Sequence, residues 1–377
     1  VSRSSHVVTT TRWRGPRPRL PALDMELTER CQNNCLHCSI NLPADDPVAC
    51  RELSTAELQR ILQEAADLGC LQVRFTGGEP LLRDDFATLY LHARRLGMRV
   101  LLFTNARRIT PSLADLFARV RPLERIEVSV YGMTAATYDA VARSPGAYAE
   151  FRRGVDLLLT RRIPFVVKWA VLPPNRDELD AFLSWAATLP WTDRAPGISA
   201  FFQLRDRRDD PVKNRLIARL RWSPEETVAF QRMDREQALR FCRRFLGPPG
   251  DRLFPCGICE KPCVDAYGRL QPCLGLRAPE WSYDLREGSL REAVERVFPP
   301  LRQRRATHPE YLRRCARCFL RGLCEQCPAK SWAEHGTLDT PVEYLCAITH
   351  EQARLLGLLR EREHAWEIAN WRERIAI

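Results

Sequence analysis

The chain has 377 residues, 45% of them hydrophobic and 28% charged, which is enough for two or three domains with a large core and excludes a peptide or a small disulfide scaffold. No apolar run approaches the roughly 18 residues of a membrane span. A formal net charge of +11 rests mainly on Arg spread through every segment, with only 4 Lys, so it describes a solvated basic surface and gives no reason to expect nucleic acid.

Residues 1–20 read as a loose basic tail, densest from Arg12 to Arg19. The tail has no apolar segment of the secretory kind, so a cytoplasmic protein is expected. Between residues 21 and 205 strand-like and helix-like segments alternate six times. The predicted strands are Leu23–Thr28, Leu71–Thr76, Arg99–Thr104, Arg125–Tyr131, Phe165–Leu172 and Ile198–Leu204. Helices are predicted over 54–68, 84–96, 111–119, 147–161 and 176–188, the first opened by a Ser54/Glu57 capping box. Such alternation demands a parallel sheet with right-handed crossovers. Six units fall short of a closed eight-stranded barrel, which leaves a partial (β/α)6 barrel or a doubly wound sheet.

Residues 206–253 follow as a charged stretch and one helix running from Ser223 to about Phe245, closed by the Gly-Pro-Pro-Gly-Asp break at 247–251. From 254 to 346 regular elements are sparse and Cys is dense, as in a small domain where metal ligation replaces a core. A final amphipathic helix from about Ala347 carries Leu355, Leu358 and Leu359 and ends among Trp366 and Trp371.

The 15 cysteines decide the chemistry. An odd number in a reducing compartment argues for metal ligation where the cysteines cluster. Cys31, Cys35 and Cys38 form CxxxCxxC directly after the first strand, where parallel α/β folds place their active residues. Three thiolates on one short loop can hold three irons of a [4Fe–4S] cluster and leave the fourth open. Zinc is the alternative, but His37 adjoins Cys38 and cannot easily share its tetrahedron. Cys50, Cys70 and Cys242 stand apart and read as ordinary small buried residues.

On this loop, with His37 before its last Cys, the chain resembles the radical SAM superfamily. Further matches occur in order at later strand ends: Thr76-Gly77-Gly78-Glu79-Pro80, Thr104-Asn105, Ser129-Val130-Tyr131-Gly132 and Lys168. The resemblance implies that Gly77, Gly78, Glu79, Pro80, Asn105, Ser129, Tyr131 and Lys168 bind S-adenosylmethionine, Glu79 offsetting its ammonium. It also implies reductive cleavage to a 5′-deoxyadenosyl radical that abstracts hydrogen from a substrate carbon.

Cys315-x2-Cys318-x5-Cys324-x2-Cys327 is too tightly spaced for a zinc ribbon, whose knuckles are usually about 15–20 residues apart. With Gly268-x4-Cys273 on a hairpin and the lone Cys346, it resembles the SPASM extension of radical SAM enzymes, which carries two auxiliary [4Fe–4S] clusters. Position by position, the resemblance assigns Cys256, Cys259, Cys273 and Cys327 to auxiliary cluster I, and Cys315, Cys318, Cys324 and Cys346 to auxiliary cluster II. Two departures stand out: the final spacing is two residues instead of three, and Cys263 competes with Cys259 for a place, though it sits too near the glycine.

SPASM relatives mostly act on peptides or proteins, so maturation of a ribosomally made peptide is the leading expectation. Thioether formation, carbon-carbon crosslinking, epimerisation and oxidation all stay open. Modification of a small molecule such as a sugar or cofactor precursor is the alternative, and a non-catalytic metal-binding regulator a distant one. Sulfatase activation is disfavoured because Leu274 stands where those relatives have Asp. Tyr131 and Arg205 are expected near the open mouth of the sheet as cofactor contacts or structural residues, and no substrate acid or base can be named. Expected partners are an electron donor such as flavodoxin or ferredoxin and, since no leader-binding domain is evident, a separate leader-peptide-binding protein.

Overall fold

A computed structural model describes residues 20–40, 42–190, 195–243, 245–256 and 258–375. The expected tail therefore lies outside the described residues, except for the buried Leu20. Six strands, β1 (Ala22–Thr28), β2 (Gln72–Gly77), β3 (Arg99–Thr104), β4 (Leu123–Val130), β5 (Phe165–Ala170) and β6 (Gly197–Ser199), lie parallel in chain order. Helices α1 (Thr55–Asp67), α2 (Phe86–Arg95), α3 (Pro111–Arg119), α4 (Ala135–Ala142), α5 (Ala147–Thr160) and α6 (Leu179–Ala187) run between them. The capping box of α1 forms as expected: Ser54 N–H donates to Glu57 at 2.7 Å and Glu57 N–H donates to the Ser54 hydroxyl at 3.3 Å.

Alternation along β1 sets the two faces of the sheet. Leu23, Met25 and Leu27 are buried in the apolar core they share with α1 and α2. Asp24, Glu26 and Thr28, on the opposite face, are buried too, but against charged and polar partners. The sheet thus has an apolar side under helices and an opposite side lined with charged and polar groups.

The cysteine-rich region differs from the expectation of a separate domain with little core. Its hairpin, β7 (Cys263–Val264) and β8 (Arg269–Gln271), turns at Gly268, whose φ of +92° suits glycine. Strand β7 lies parallel to β1, and β9 (Tyr283–Asp284) closes the far side, giving the order β9-β8-β7-β1-β2-β3-β4-β5-β6. The hairpin covers a sheet edge that would otherwise present unpaired backbone groups. Val264, Leu270, Leu276 and Leu290 join the same apolar cluster as Leu58 and Ile61 of α1, so the two regions share one core.

Three local readings are corrected. The charged stretch before Ser223 contains α7 (Pro211–Arg219), started by Asp210 accepting from Lys213 N–H at 2.9 Å. The single helix expected from Ser223 to about Phe245 is two, α8 (Pro224–Gln231) and α9 (Arg235–Cys242). Arg232 turns left-handed between them and Asp234 caps the second. After α10 (Pro328–His335), the last long helix, α11, spans Glu343–Leu355, so it begins before Ala347 and carries Cys346. Leu358 and Leu359 lie past its end, packed with Phe319 and Leu320. Among the described residues no helix is long and apolar enough to cross a membrane.

Candidate active site

The loop after β1 is held by the turn after β2 and by α4, a helix the sequence reading missed. Gly78 N–H donates to Thr28 O at 2.7 Å and Glu79 N–H to Arg30 O at 2.9 Å, so the turn after β2 zips onto the segment entering Cys31. A Cβ at Gly77, where φ is +123°, would stand 2.1 Å from Thr28 O, and one at Gly78 would stand 2.2 Å from Arg30 O. No side chain fits there. On the far side, Asn34 and Leu36 N–H donate to Ala142 and Val141 at the end of α4. Arg107 donates to Gln32 O and Asn33 and pairs with Glu150 at 2.7 Å, stapling the loop to α5.

Cys31 and Cys35 are buried, Cys38 is half-buried, and all three line one cavity of about 260 Å³ with Gly77, Gly78, Asn105, Ser129 and Tyr131. Polar hydrogens approach the sulfurs: Asn33 N–H lies 3.4 Å and the Asn105 amide 3.7 Å from Cys31 Sγ, and Tyr131 is a donor to Cys35. Burial pushes the Cys35 thiol up to about 12. Three sulfurs, donors aimed at them and a glycine-walled space beside them suit a cluster with an open iron and a ligand reaching it.

Some expected residues do other work. The Glu79 carboxylate is fully buried and accepts from the Thr104 hydroxyl at 2.8 Å, Asn105 N–H at 2.8 Å and Leu81 N–H at 3.2 Å. Burial pushes its pKa up to about 7. The sequence reading had it offsetting an ammonium; it lines the same cavity, and its oxygens also brace the ends of β2 and β3. Pro80 opens a short buried turn behind it and does not line the cavity. Lys168 lies in register with Ser129, yet its ammonium pairs with Glu127 and sits 4.0 Å from the Phe103 ring centre, outside the cavity wall. His37 packs against Tyr131 and Phe202, and burial lowers its pKa to about 4, so it is neutral. Arg205 is held by Asp209 at 2.6 Å.

The other cysteines form two groups. Burial pushes Cys273 up to about 12, with Cys327 and Cys256 raising it further, which makes these three neighbours. Cys259 lies beside Cys256, while Arg302 donates to its sulfur. Cys324 and Cys346 raise Cys315, those three raise Cys318, and Cys324 raises Cys346, which makes these four a second group. Six sulfurs, those of Cys256, Cys315, Cys318, Cys324, Cys327 and Cys346, line a single cavity of about 120 Å³. Arg314 and Gln326 N–H each approach a sulfur at 3.4 Å. Cys263, on β7, has Glu26, Arg277, Asp24 and Asp265 for charged neighbours. Among the described residues no three His, Cys, Asp or Glu side chains close around a single-ion position.

The sequence reading missed the charge on the polar face of the sheet. Asp24 lies between Arg74 at 3.4 Å and Lys261 at 3.2 Å, and Arg277 pairs with Glu26, both side chains 1% exposed. Asp206 stands 4.0 Å from Arg277, and burial pushes its pKa up to about 7. Arg207 joins Glu29 at 2.6 Å and Asp265 at 2.9 Å. The signal available was β1 itself, whose Asp24 and Glu26 alternate with Leu23, Met25 and Leu27.

Residues 25–186 match the family model of the radical SAM superfamily. Over 347 residues, 85% of this chain and 93% of the relative, the sequence is 28% identical to a protein named AdoMet-dependent heme synthase from Methanosarcina barkeri. It is 31% identical over 171 residues to a PqqA peptide cyclase from Xanthomonas euvesicatoria pv. vesicatoria, the alignment covering 44% of each chain. The solved structure of native anSMEcpe with bound AdoMet superposes with a TM-score of 0.61 at 15% identity, over 88% of this chain and 96% of that one.

Proposed function

Because the chain belongs to the radical SAM superfamily of enzymes, we propose that Cys31, Cys35 and Cys38 hold a [4Fe–4S] cluster and that the cavity beside them receives S-adenosylmethionine. The observation that carries this reading is that all three thiols and the Gly77-Gly78 turn wall the same cavity at the C-terminal ends of the parallel strands. When bound, cluster and S-adenosylmethionine together supply reductive carbon-sulfur cleavage and hydrogen abstraction from an unactivated carbon.

The chain's part is placement. Gly77 and Gly78 let a ligand approach backbone, Asn105 and Ser129 offer it polar groups, and Glu79 keeps the ends of β2 and β3 in register. Tyr131, Asn33 and Asn105 steady the sulfurs as donors. Cys256, Cys259, Cys273 and Cys327 would hold one auxiliary [4Fe–4S] cluster, and Cys315, Cys318, Cys324 and Cys346 another. The grouping of the thiols supports both sets.

For the substrate we take a ribosomally made peptide. The partial identity to PqqA peptide cyclases supports this, as does the fold shared with anSMEcpe, solved with bound AdoMet and a Cp18Cys peptide at a TM-score of 0.58 and 16% identity. A small-molecule substrate is the second reading, favoured by the nearly end-to-end match to an AdoMet-dependent heme synthase. The test is anaerobic turnover with peptides encoded beside the gene, deuterated at side-chain and α-carbons. Deuterium in 5′-deoxyadenosine supports the peptide reading; transfer only from a deuterated tetrapyrrole or sugar replaces it with the second. Absence of 5′-deoxyadenosine from the reduced, iron-loaded enzyme under all conditions overturns both.

A further inference from the structure

Arg314 is set against the second group of cysteines in a way that cysteine spacing does not require. It immediately precedes Cys315, and its side chain is 13% exposed. Its Nη2 donates to Cys346 Sγ at 3.4 Å. Glu343, at the start of α11, grips the same guanidinium at both oxygens, at 2.6 and 2.9 Å. The guanidinium carbon also lies 4.6 Å from the centre of the Trp366 ring. Trp366 is braced in turn by His350, whose ring centre is 5.1 Å away and whose Nε2 accepts from Ala365 N–H at 3.2 Å. Arg314, His350 and Trp366 line the cavity of about 120 Å³ that Cys315, Cys318, Cys324 and Cys346 also line.

The charges around this group are otherwise engaged. Lys330 pairs with Glu325 at 2.7 Å, Arg354 with Glu351 at 2.9 Å, and Arg321 donates to Pro255 O at 3.4 Å. Glu310 is 4.0 Å from Arg314 but is held by Arg313 at 2.6 Å. Neutral donors complete the shell: Gln326 N–H lies 3.4 Å from Cys324 Sγ, and Leu320 N–H donates to Cys318. Because His350 Nε2 is an acceptor, its proton sits on Nδ1 and goes to Cys346 O at 2.8 Å, leaving the ring uncharged. A buried cation that donates to a cluster sulfur favours the redox state with more negative charge, since little water screens it. Glu343 opposes that field, but its carboxylate is 71% exposed and therefore screened. Its two-point grip fixes the guanidinium plane, which an ammonium would not allow.

We propose that Arg314, through its hydrogen bond to Cys346, raises the reduction potential of the cluster held by Cys315, Cys318, Cys324 and Cys346. Reduction adds one electron to that cluster, and no bond forms or breaks. The inference rests on the reading of those four cysteines as cluster ligands, and its test separates the two. The experiment is an anaerobic redox titration of the iron-loaded full chain followed by electron paramagnetic resonance. The signal of this cluster is the one that Cys318→Ala removes. Arg314→Gln should lower its midpoint by at least 59 mV, a tenfold change in a one-electron equilibrium, while iron stays at ~12 atoms per chain. Arg314→Lys keeps the charge without the two-point grip and should fall between. Glu343→Gln removes the opposing anion and should not lower the midpoint. Arg313→Gln makes the same change of net charge at a side chain 59% exposed and should leave it unchanged. An unmoved midpoint in Arg314→Gln would overturn the proposal, and so would an equal fall in Arg313→Gln or Glu343→Gln. Loss of one cluster's iron from both Arg314→Gln and Arg314→Lys would also overturn it, by making the arginine a structural support. If Cys318→Ala leaves iron and every signal as in the unaltered protein, the cluster reading itself fails, and the inference falls with it.

Discussion

Replacing Gly78 by Ala tests how closely the turn after β2 governs the cysteine loop. The new Cβ would lie 2.2 Å from Arg30 O, 2.5 Å from Glu29 O and 2.6 Å from Arg30 C, and backbone atoms cannot swing aside as a flexible side chain would. Relief requires moving the 28–30 segment, which stretches two hydrogen bonds, Gly78 to Thr28 at 2.7 Å and Glu79 to Arg30 at 2.9 Å. Overpacking of this kind costs about 1–3 kcal/mol, and each backbone bond lost adds about 1 kcal/mol. The expected destabilisation is therefore about 3–5 kcal/mol, read as a shift in the urea midpoint. Since the displaced segment leads straight into Cys31, bound iron should fall by about one cluster's worth, ~4 atoms per chain, and calorimetry should find S-adenosylmethionine binding weakened at least tenfold. Gly97→Ala is the control: its Cβ meets nothing within 4 Å and only its φ of +81° is strained, so it should cost about 1–2 kcal/mol and leave iron and binding unchanged. If Gly78→Ala unfolds within about 0.5 kcal/mol of the unaltered protein and keeps its iron and affinity, the coupling between turn and loop is wrong.

Arg277→Met should cost about 3–5 kcal/mol by stranding the buried Glu26 carboxylate; the double variant with Glu26→Gln should recover part of that loss in urea melts, and no recovery would deny the pair. Asp206 has its pKa raised by burial from an ordinary 3.8 to about 7, so the folded protein keeps a proton that the unfolded chain releases between those values. Its contribution to stability is full below about pH 4 and is lost as pH rises through 7. Asp206→Asn should flatten the decline in stability over this range by up to about 1.4 kcal/mol per pH unit, and melts at pH 5 and 7 that differ equally in both proteins would count against it. Cys318→Ala should lower iron from ~12 to roughly 8 atoms per chain and still permit uncoupled 5′-deoxyadenosine formation. Because the cysteine-rich region shares the core of the sheet, its near-ultraviolet circular dichroism should largely persist; full substrate turnover would make auxiliary cluster II dispensable.

What the sequence determined by itself was the order of the parallel strands, the first cysteine loop at their C-terminal edge and the glycine turn beside it. Each rests on local chemistry: period-two burial in the strands, a capping box whose partners are three residues apart, and thiols close enough in sequence to share a cluster. Helix ends that depend on a single residue were harder to read. Asp234 restarts a helix after Arg232 breaks it, and Asp210 starts one inside a charged stretch that looked irregular. Only the tertiary structure decided the pairings that join distant segments. Arg277 meets Glu26 across 251 positions, Tyr267 meets Glu29 across 238, and β7 lies against the free edge of β1. Neither periodicity nor spacing records such contacts. A buried charge looks, in sequence, like any exposed one until the fold removes its water and requires a partner of opposite sign. For the same reason Glu79 could be placed beside the cavity from its motif, but not shown to spend both oxygens on Thr104, Leu81 and Asn105, because those donors reach it only when β2 and β3 stand side by side.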